Sequence, residues 1–238
     1  MKKVVAYTAI INPKEPFGIT DNIDSLRMKS SNLKVDCICF TNNPEMESTP
    51  DCKIIHVPSG DDACRVAKEI KFFPHRFLPE EYDASIWIDG KMNAMKRLDK
   101  ISKELLSTGV FFAKKHDKRK CVYTEAAKAA ADNKDNPEVI SRQVEKYKKE
   151  GYPENNGLIA SGIIFRKHKD EHLIECQEAW WQEVTNHSRR DQISFPYAAW
   201  KTNFSYDLIP HKYSGDNWLP YFLAWGHRIK GNRKTRRY

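Results

Sequence analysis

The chain has 238 residues, 40% of them hydrophobic and 30% charged, with 10 glycines and 12 prolines. That balance excludes collagen, a coiled coil and wholesale disorder, and no stretch reaches the roughly 18 apolar residues of a membrane span. Forty Lys and Arg against 32 Asp and Glu give a net charge of +8, of which Arg228, Lys230, Arg233, Lys234, Arg236 and Arg237 carry +6 within the last eleven residues.

Residues 1–227 are long enough for one domain with a sizeable core, followed by a basic tail over 228–238. Such a tail attracts phosphate, whether of nucleic acid or of an anionic membrane surface, unless it is simply a solvated, frayed end. The start, MKKVVAYTAIINPKEPF, reads as a strand and not as a secretory leader, and the six cysteines form no CxxC pair. Reduced thiols in a cytoplasmic protein, touching membrane at most peripherally, are the expectation.

In chain order, KVVAYTAI (3–10), VDCICF (35–40) and KIIHV (53–57) have the β-branched and aromatic content of strands, expected to be parallel and buried on both faces. The intervening FGITDNIDSLRMKSSNLK is too polar for a core element, and TNNPEMESTPD is a turn-rich loop. Ala63, Val66, Ala67 and Ile70 fall on one side of a helix over 61–73, with Arg65 and Lys68 nearly opposite. Pro79 ends any helix there. Ser85-Ile86-Trp87-Ile88 is then a buried strand that stops at Asp89-Gly90.

A helix around ISKELLS, a strand at GVFFAKKH and a helix at CVYTEAAKAAA follow. Asn136-Pro137-Glu138 supplies a cap, a first-turn proline and an early acid for a helix running to about Glu150, ended by Gly151. GLIASGIIFRKH is a glycine-broken strand. Leu173, Cys176, Trp180 and Val184 recur at helical spacing over 170–185, a helix follows from Asp191 to about Trp200, and FSYDLIP is a last short strand. Trp180 and Trp181 belong to the core. In the aromatic end segment, Trp218, Tyr221, Phe222 and Trp225 either stack a sugar or pack the C-terminus. No internal repeat appears. Strand–helix alternation with a buried sheet predicts an α/β sandwich, whose ligands sit beyond the carboxyl ends of the strands.

No GxGxxG, GxxxxGK[ST], HExxH or GxSxG occurs. The candidate that remains is Asp89, an acid at the end of a buried strand, costly there unless it binds a cation, a donor group or a substrate. Its structural counter-reading is an Asp-Gly turn. Arg65 and Lys68 are either a solvated helix face or a cradle for phosphate. Asp191, with Gln192, either caps a helix or faces a substrate. Gly157 and Gly162 mark a strand where something approaches the backbone closely, or a simple bulge.

From Arg65 to Phe195 the spaced motifs are specific. They run Arg65-x-x-Lys68-x-x-Lys71-Phe72-x-Pro74-His75, Tyr82-Asp83-x-Ser85-Ile86-Trp87-Ile88-Asp89-Gly90, His116-x-x-Arg119-x-Cys121-x-Tyr123-x-Glu125-Ala126, Ile163-Ile164-x-Arg166-x-His168 and Ser188-Arg189-Arg190-Asp191-Gln192. The stretch resembles a plant-type glycosyltransferase-like family, formerly a domain of unknown function, that includes pectin and mucilage glycosyltransferases. That family is in turn distantly similar to GT-A enzymes of the glycogenin type.

The resemblance implies a GT-A-like fold with a mixed, mostly parallel sheet flanked by helices. It implies a hexosyltransferase-like enzyme of polysaccharide biosynthesis, moving a sugar from a nucleotide-diphosphate donor, such as a UDP-sugar, to a hydroxyl of a glycan or lipid-linked acceptor. It also implies Mn²⁺ or Mg²⁺ at the strand-end acid, since a metal stabilises charge on the departing phosphate. Asp89 is then metal ligand or donor contact, and Asp191 acts at the sugar or as base. Arg65, Lys68, Lys91, Gly162 and Gln192 line the donor. The second acid of an Asp-x-Asp is missing, because Lys91 stands there. His211 completes the metal site in this reading, with His227 its rival, and either is otherwise an exposed loop histidine. Two further readings compete: a nucleic-acid-binding module using the tail, disfavoured by the rest of the chain, and a catalytically inactive carbohydrate- or nucleotide-binding domain.

Overall fold

A computed structural model describes residues 3–12, 28–90, 92–94, 97–214 and 222–224. Strands β1 (Lys3–Ile10), β2 (Asp36–Thr41) and β3 (Lys53–His56) come first, with a single helical turn α1 (Ser30–Leu33) between β1 and β2. Helices α2 (Ala63–Phe72) and α3 (Pro74–Phe77) lead into β4 (Tyr82–Ile88). Then follow β5 (Met92–Ala94), α4 (Leu98–Thr108), β6 (Phe111–Lys115), α5 (Val122–Ala131), α6 (Pro137–Lys149) and β7 (Ile159–Arg166). The described chain ends with α7 (Glu171–Asn186), α8 (Asp191–Lys201), β8 (Asp207–Leu208), α9 (His211–Ser214) and β9 (Phe222–Ala224).

Seven strands form one sheet in the order β3-β2-β1-β4-β7-β6-β8, and β5 pairs with β9 apart from it. All neighbours in the large sheet are parallel except β7, which runs antiparallel to both β4 and β6. The expected mixed, mostly parallel sheet with helices on both faces is therefore present. From β1 the chain winds outward to β2 and β3, then returns to place β4 on the other side of β1. The strand order thus reverses between β1 and β4, and a crevice at such a reversal is where open α/β sheets bind ligands.

One sheet face packs Val4, Ala6, Ile86 and Ile88 under Ile101 and Leu105 of α4. The other packs Val5, Tyr7, Trp87 and Ile164 under α2, α7 and α8. Trp180 of α7 is fully buried and stacks on Phe72 of α2 with ring centroids 3.7 Å apart, so it belongs to the core as expected. A third cluster joins α5 and α6 to α8 through Val122, Ile140, Tyr147 and Tyr197. Asn136 caps α6, accepting from the Glu138 amide at 2.9 Å with Pro137 as first helical residue.

Three expectations need correction. Strand β3 is an edge strand with Lys53 and His56 exposed, because nothing pairs with its outer side among the described residues. Met28 and Leu33 are core residues despite their polar surroundings, Leu33 being placed by α1. A separate turn of helix, α3, opens at Pro74, a position where proline's missing N–H costs nothing. The buried Cys37, Cys39, Cys52, Cys121 and Cys176 and the partly buried Cys64 are all free thiols. No helix among the described residues is long and apolar enough to cross a membrane. The basic tail, His227, Trp218, Tyr221 and Trp225 lie outside the described residues.

Candidate active site

Strand β4 ends one residue before Asp89, at the carboxyl end of the β1 and β4 pair where the strand order reverses. The Asp89 backbone is fixed on both sides: its amide donates to the Gly162 carbonyl at 2.8 Å, and its carbonyl accepts from the Met92 amide at 2.8 Å. The turn is therefore closed by backbone. The carboxylate is engaged elsewhere, accepting the indole N–H of Trp87 on Oδ1 at 2.7 Å and facing the ammonium of Lys71 at 3.6 Å. With 27% of its side chain exposed, Asp89 is more accessible than Lys68, Lys71 or Asp191.

Opposite stands Asp191, the first residue of α8. The sequence offered it as a helix cap, but the cap position is Arg190 and no side chain caps this helix. Instead its Oδ2 accepts from Lys71 Nζ at 2.6 Å and Ser161 Oγ at 2.9 Å, while Oδ1 lies 3.2 Å from Lys68 Nζ. Burial alone would push this carboxyl up, yet the charges of Lys68, Lys71 and Arg190 and the hydrogen bond from Lys71 hold it well below the usual carboxylate range. For Lys68, burial works against the ammonium, and the charges of Asp191, Cys64 and Asp89 more than restore it, leaving its pKa raised.

Helix α2 delivers both lysines. Lys68 and Lys71 are three residues apart, hence on one helix face, and Asp62 anchors the helix start by accepting from the amides of Cys64 and Arg65 at 3.0 and 3.1 Å. At the other end, the Lys71 carbonyl accepts the Tyr7 hydroxyl at 2.9 Å and a guanidinium N–H of Arg166, which also bonds the Tyr7 oxygen. Arg166 is fully buried and meets no carboxylate among the described residues, and a cation at the carbonyl end of a helix is favoured by the dipole.

Strand β7 supplies the floor. Its pairing with β6 jumps from Ala113↔Ile164 to Lys114↔Ala160, so Ser161 and Gly162 lie in a bulge. The bulge turns Ser161 toward Asp191 and presents the Gly162 carbonyl to Asp89. A Cβ at Gly162 would come 3.0 Å from Met92 Sδ and 3.4 Å from Asp89 Oδ2, so what approaches this backbone is the Met92 side chain, with Asp89 beside it.

The other expected residues are placed as follows. Arg65 is turned away, toward the end of α7: Nε donates to the Val184 carbonyl at 3.3 Å and Nη1 to Asp62 at 2.9 Å. Gln192 accepts from Arg190 at 2.8 Å beside Asp191. His211 is exposed at the start of α9. Gly157 adopts φ +88°, a conformation open to glycine, at the entry to β7. Lys91 lies outside the described residues. Sequence reasoning missed Lys71, Ser161 and the Trp87 indole; for Lys71 the basic spacing 65, 68, 71 was the available signal.

Among the described residues, the groups around Asp89 and Asp191 are not the donor set of a divalent metal. No three His, Cys, Asp or Glu side chains among the described residues converge as a metal site. Both oxygens of Asp191 are taken by lysines, and Oδ1 of Asp89 holds an indole N–H. What the cluster offers is three cations, Lys68, Lys71 and Arg190, around two carboxylates, an excess of positive charge suited to anionic oxygens.

Comparison with known proteins bears on this cluster, which falls inside the matched region. The TOD1/MUCI70, glycosyltransferase-like domain matches residues 52–212. The "Probable hexosyltransferase MUCI70" of Arabidopsis thaliana is 32% identical over 172 residues, covering 66% of this chain and 29% of that protein. The chain thus spans under a third of that relative. Among solved structures, mouse xyloside xylosyltransferase 1 in its apo form aligns with 96% of both chains at 11% identity and TM-score 0.48. Galactosyltransferase LgtC in complex with donor and acceptor sugar analogs aligns with 88% of this chain and 74% of its own, at 9% identity and TM-score 0.46.

Proposed function

Since the chain belongs to the TOD1/MUCI70 glycosyltransferase-like domain family, we propose that it transfers a hexosyl group from a nucleotide-diphosphate sugar to a hydroxyl of a glycan or lipid-linked glycan. UDP is the nucleotide in this reading, and the sheet is taken as the GT-A arrangement. What carries the proposal is the cationic excess of Lys68, Lys71 and Arg190 around Asp89 and Asp191 at the carboxyl end of β4, beside the point where the strand order reverses.

In the transfer, the bond between the anomeric carbon and the diphosphate oxygen breaks and its electron pair stays on the phosphate. The acceptor hydroxyl oxygen bonds to the anomeric carbon and loses its proton to solvent. Preorganised positive charge aimed at the departing diphosphate lowers this barrier, and Lys68, the more accessible lysine, is the group for it. Arg65, held at the end of α7, leaves that part to Lys68. Asp89 binds donor hydroxyls. Asp191, whose pKa is held down by its lysines, is a poor proton acceptor, so its part is to hold the cations and, with Gln192, to contact the sugar.

Thermal-shift titration separates this reading from its rivals. UDP at millimolar concentration is expected to raise Tm, and a single-stranded oligonucleotide of matched charge is not. A shift with the oligonucleotide alone, abolished by deleting residues 228–238, would favour the nucleic-acid module.

A further inference from the structure

Between the carboxylates of Asp89 and Asp191, where a divalent ion bridging them would lie, the structure places an ammonium. Nζ of Lys71 is 2.6 Å from Oδ2 of Asp191 and 3.6 Å from Oδ1 of Asp89, and Lys68 takes the other Asp191 oxygen at 3.2 Å. The Lys71 side chain is only 3% exposed, so its ammonium is shielded from water and held against the two carboxylates. Its main chain is tied by the Tyr7 hydroxyl at 2.9 Å and by Arg166, and its ammonium lies 5.6 Å from the Trp87 ring centroid. A magnesium-type ion needs oxygens at about 2.0–2.1 Å in near-octahedral geometry, which an adjacent fixed ammonium both crowds and repels.

We infer that this donor site runs on built-in ammonium charge, Lys71 and Lys68 together supplying the electrostatic stabilisation of the diphosphate that a divalent metal would otherwise give. The inference rests on the nucleotide-sugar reading above and adds to it the cofactor requirement. The chemistry balances without a metal: the lysines stay protonated throughout, the phosphate keeps the electron pair of the broken bond, and the acceptor proton leaves to solvent. Lys91, standing where the second acid of an Asp-x-Asp would be, adds to the same balance of charge in the sequence.

The test is isothermal calorimetry of the whole chain with UDP, once in excess EDTA and once in millimolar Mn²⁺. Dissociation constants equal within about threefold are expected. Lys68→Met should weaken UDP by tenfold or more in EDTA, with no recovery in Mn²⁺, and Lys71→Met should do the same if circular dichroism shows it folded. Should Lys71→Met fail to fold, the 15%-exposed Lys68 is the deciding variant. Binding that appears only with Mn²⁺, or that survives Lys68→Met unchanged, overturns the inference while leaving the nucleotide-sugar reading standing. A wild-type chain that binds UDP in neither buffer removes both.

Discussion

Nζ of Lys71 lies 2.6 Å from Oδ2 of Asp191, a partner 120 residues away in the chain, and both groups are buried. Removing one member of a buried ion pair leaves an uncompensated charge in a poorly polarisable surrounding. Asp191→Ala, which strands Lys68 and Lys71 together, should destabilise the fold by about 3–5 kcal/mol in urea unfolding.

The same cluster fixes a pH dependence. Asp191 has a depressed pKa in the folded state, so its contribution is present above the unfolded value of about 3.9 and is lost only as pH falls below it. Lys68 has a raised pKa, so its contribution is complete below about 10.4 and is lost only above. The penalty of Asp191→Ala should therefore be the same at pH 5.5 and pH 9; a penalty that halves between them would contradict the assignment.

Arg166 and Tyr7 act on the site through the Lys71 carbonyl. Arg166 Nε and Nη1 have no hydrogen-bond partner among the described residues, and its two acceptors, the Tyr7 hydroxyl and the Lys71 carbonyl, bond each other and stay paired without it. Arg166→Met should keep Tm within a few degrees yet lower kcat about tenfold with KM little changed, and Tyr7→Phe should do so more mildly. Loss of Tm with kcat intact would mark the pair as scaffolding alone.

His168 is buried against β4, with Nε2 2.8 Å from the Tyr82 carbonyl, so the neutral ring donates there from Nε2. Burial pushes its pKa down to about 4. The unfolded chain takes up the proton near pH 6.5 and the folded chain only near 4, so stability drains away as pH falls across that window. Unfolding at pH 7 and pH 4.5 should show a loss on the order of 2–3 kcal/mol from this ring, by about 1.4 kcal/mol per pH unit. His168→Gln should flatten the slope accordingly.

Gly162 sits against Met92 and Asp89. Gly162→Ala would press a methyl to 3.0 Å from Met92 Sδ, which must give by a few tenths of an ångström, and would leave Asp89 Oδ2 in ordinary contact at 3.4 Å. UDP-sugar turnover should stay within a few-fold of wild type while Tm falls by a few degrees; a loss of turnover with Tm unchanged would contradict this reading.

Much of the frame was legible in the sequence because its signals are local. The Val, Ile and Phe runs of β1, β2 and β4 and the Asn136-Pro137 start of α6 are written in adjacent residues. The single turns α1 and α3 and the three-residue β5 carry too few residues for a period to show. Asp89 was legible because an acid closing a buried run is costly unless it is used. Lys71 was not: a third basic residue after Arg65 and Lys68 reads as solvated surface, and only the contact with Asp191, 120 residues away on a helix packed against the same sheet face, shows it buried. A bulge at Gly162 was one of the two readings its glycine allowed, and the pairing of β7 with β6 shows that Ser161 shares it.

The most direct test of the central claim is UDP release from a panel of UDP-sugars by the wild-type chain and by Asp89→Ala, with circular dichroism showing both folded. The account predicts release by the wild type with at least one UDP-hexose and a fall of a hundredfold or more in the variant. Equal release by the two proteins would contradict it.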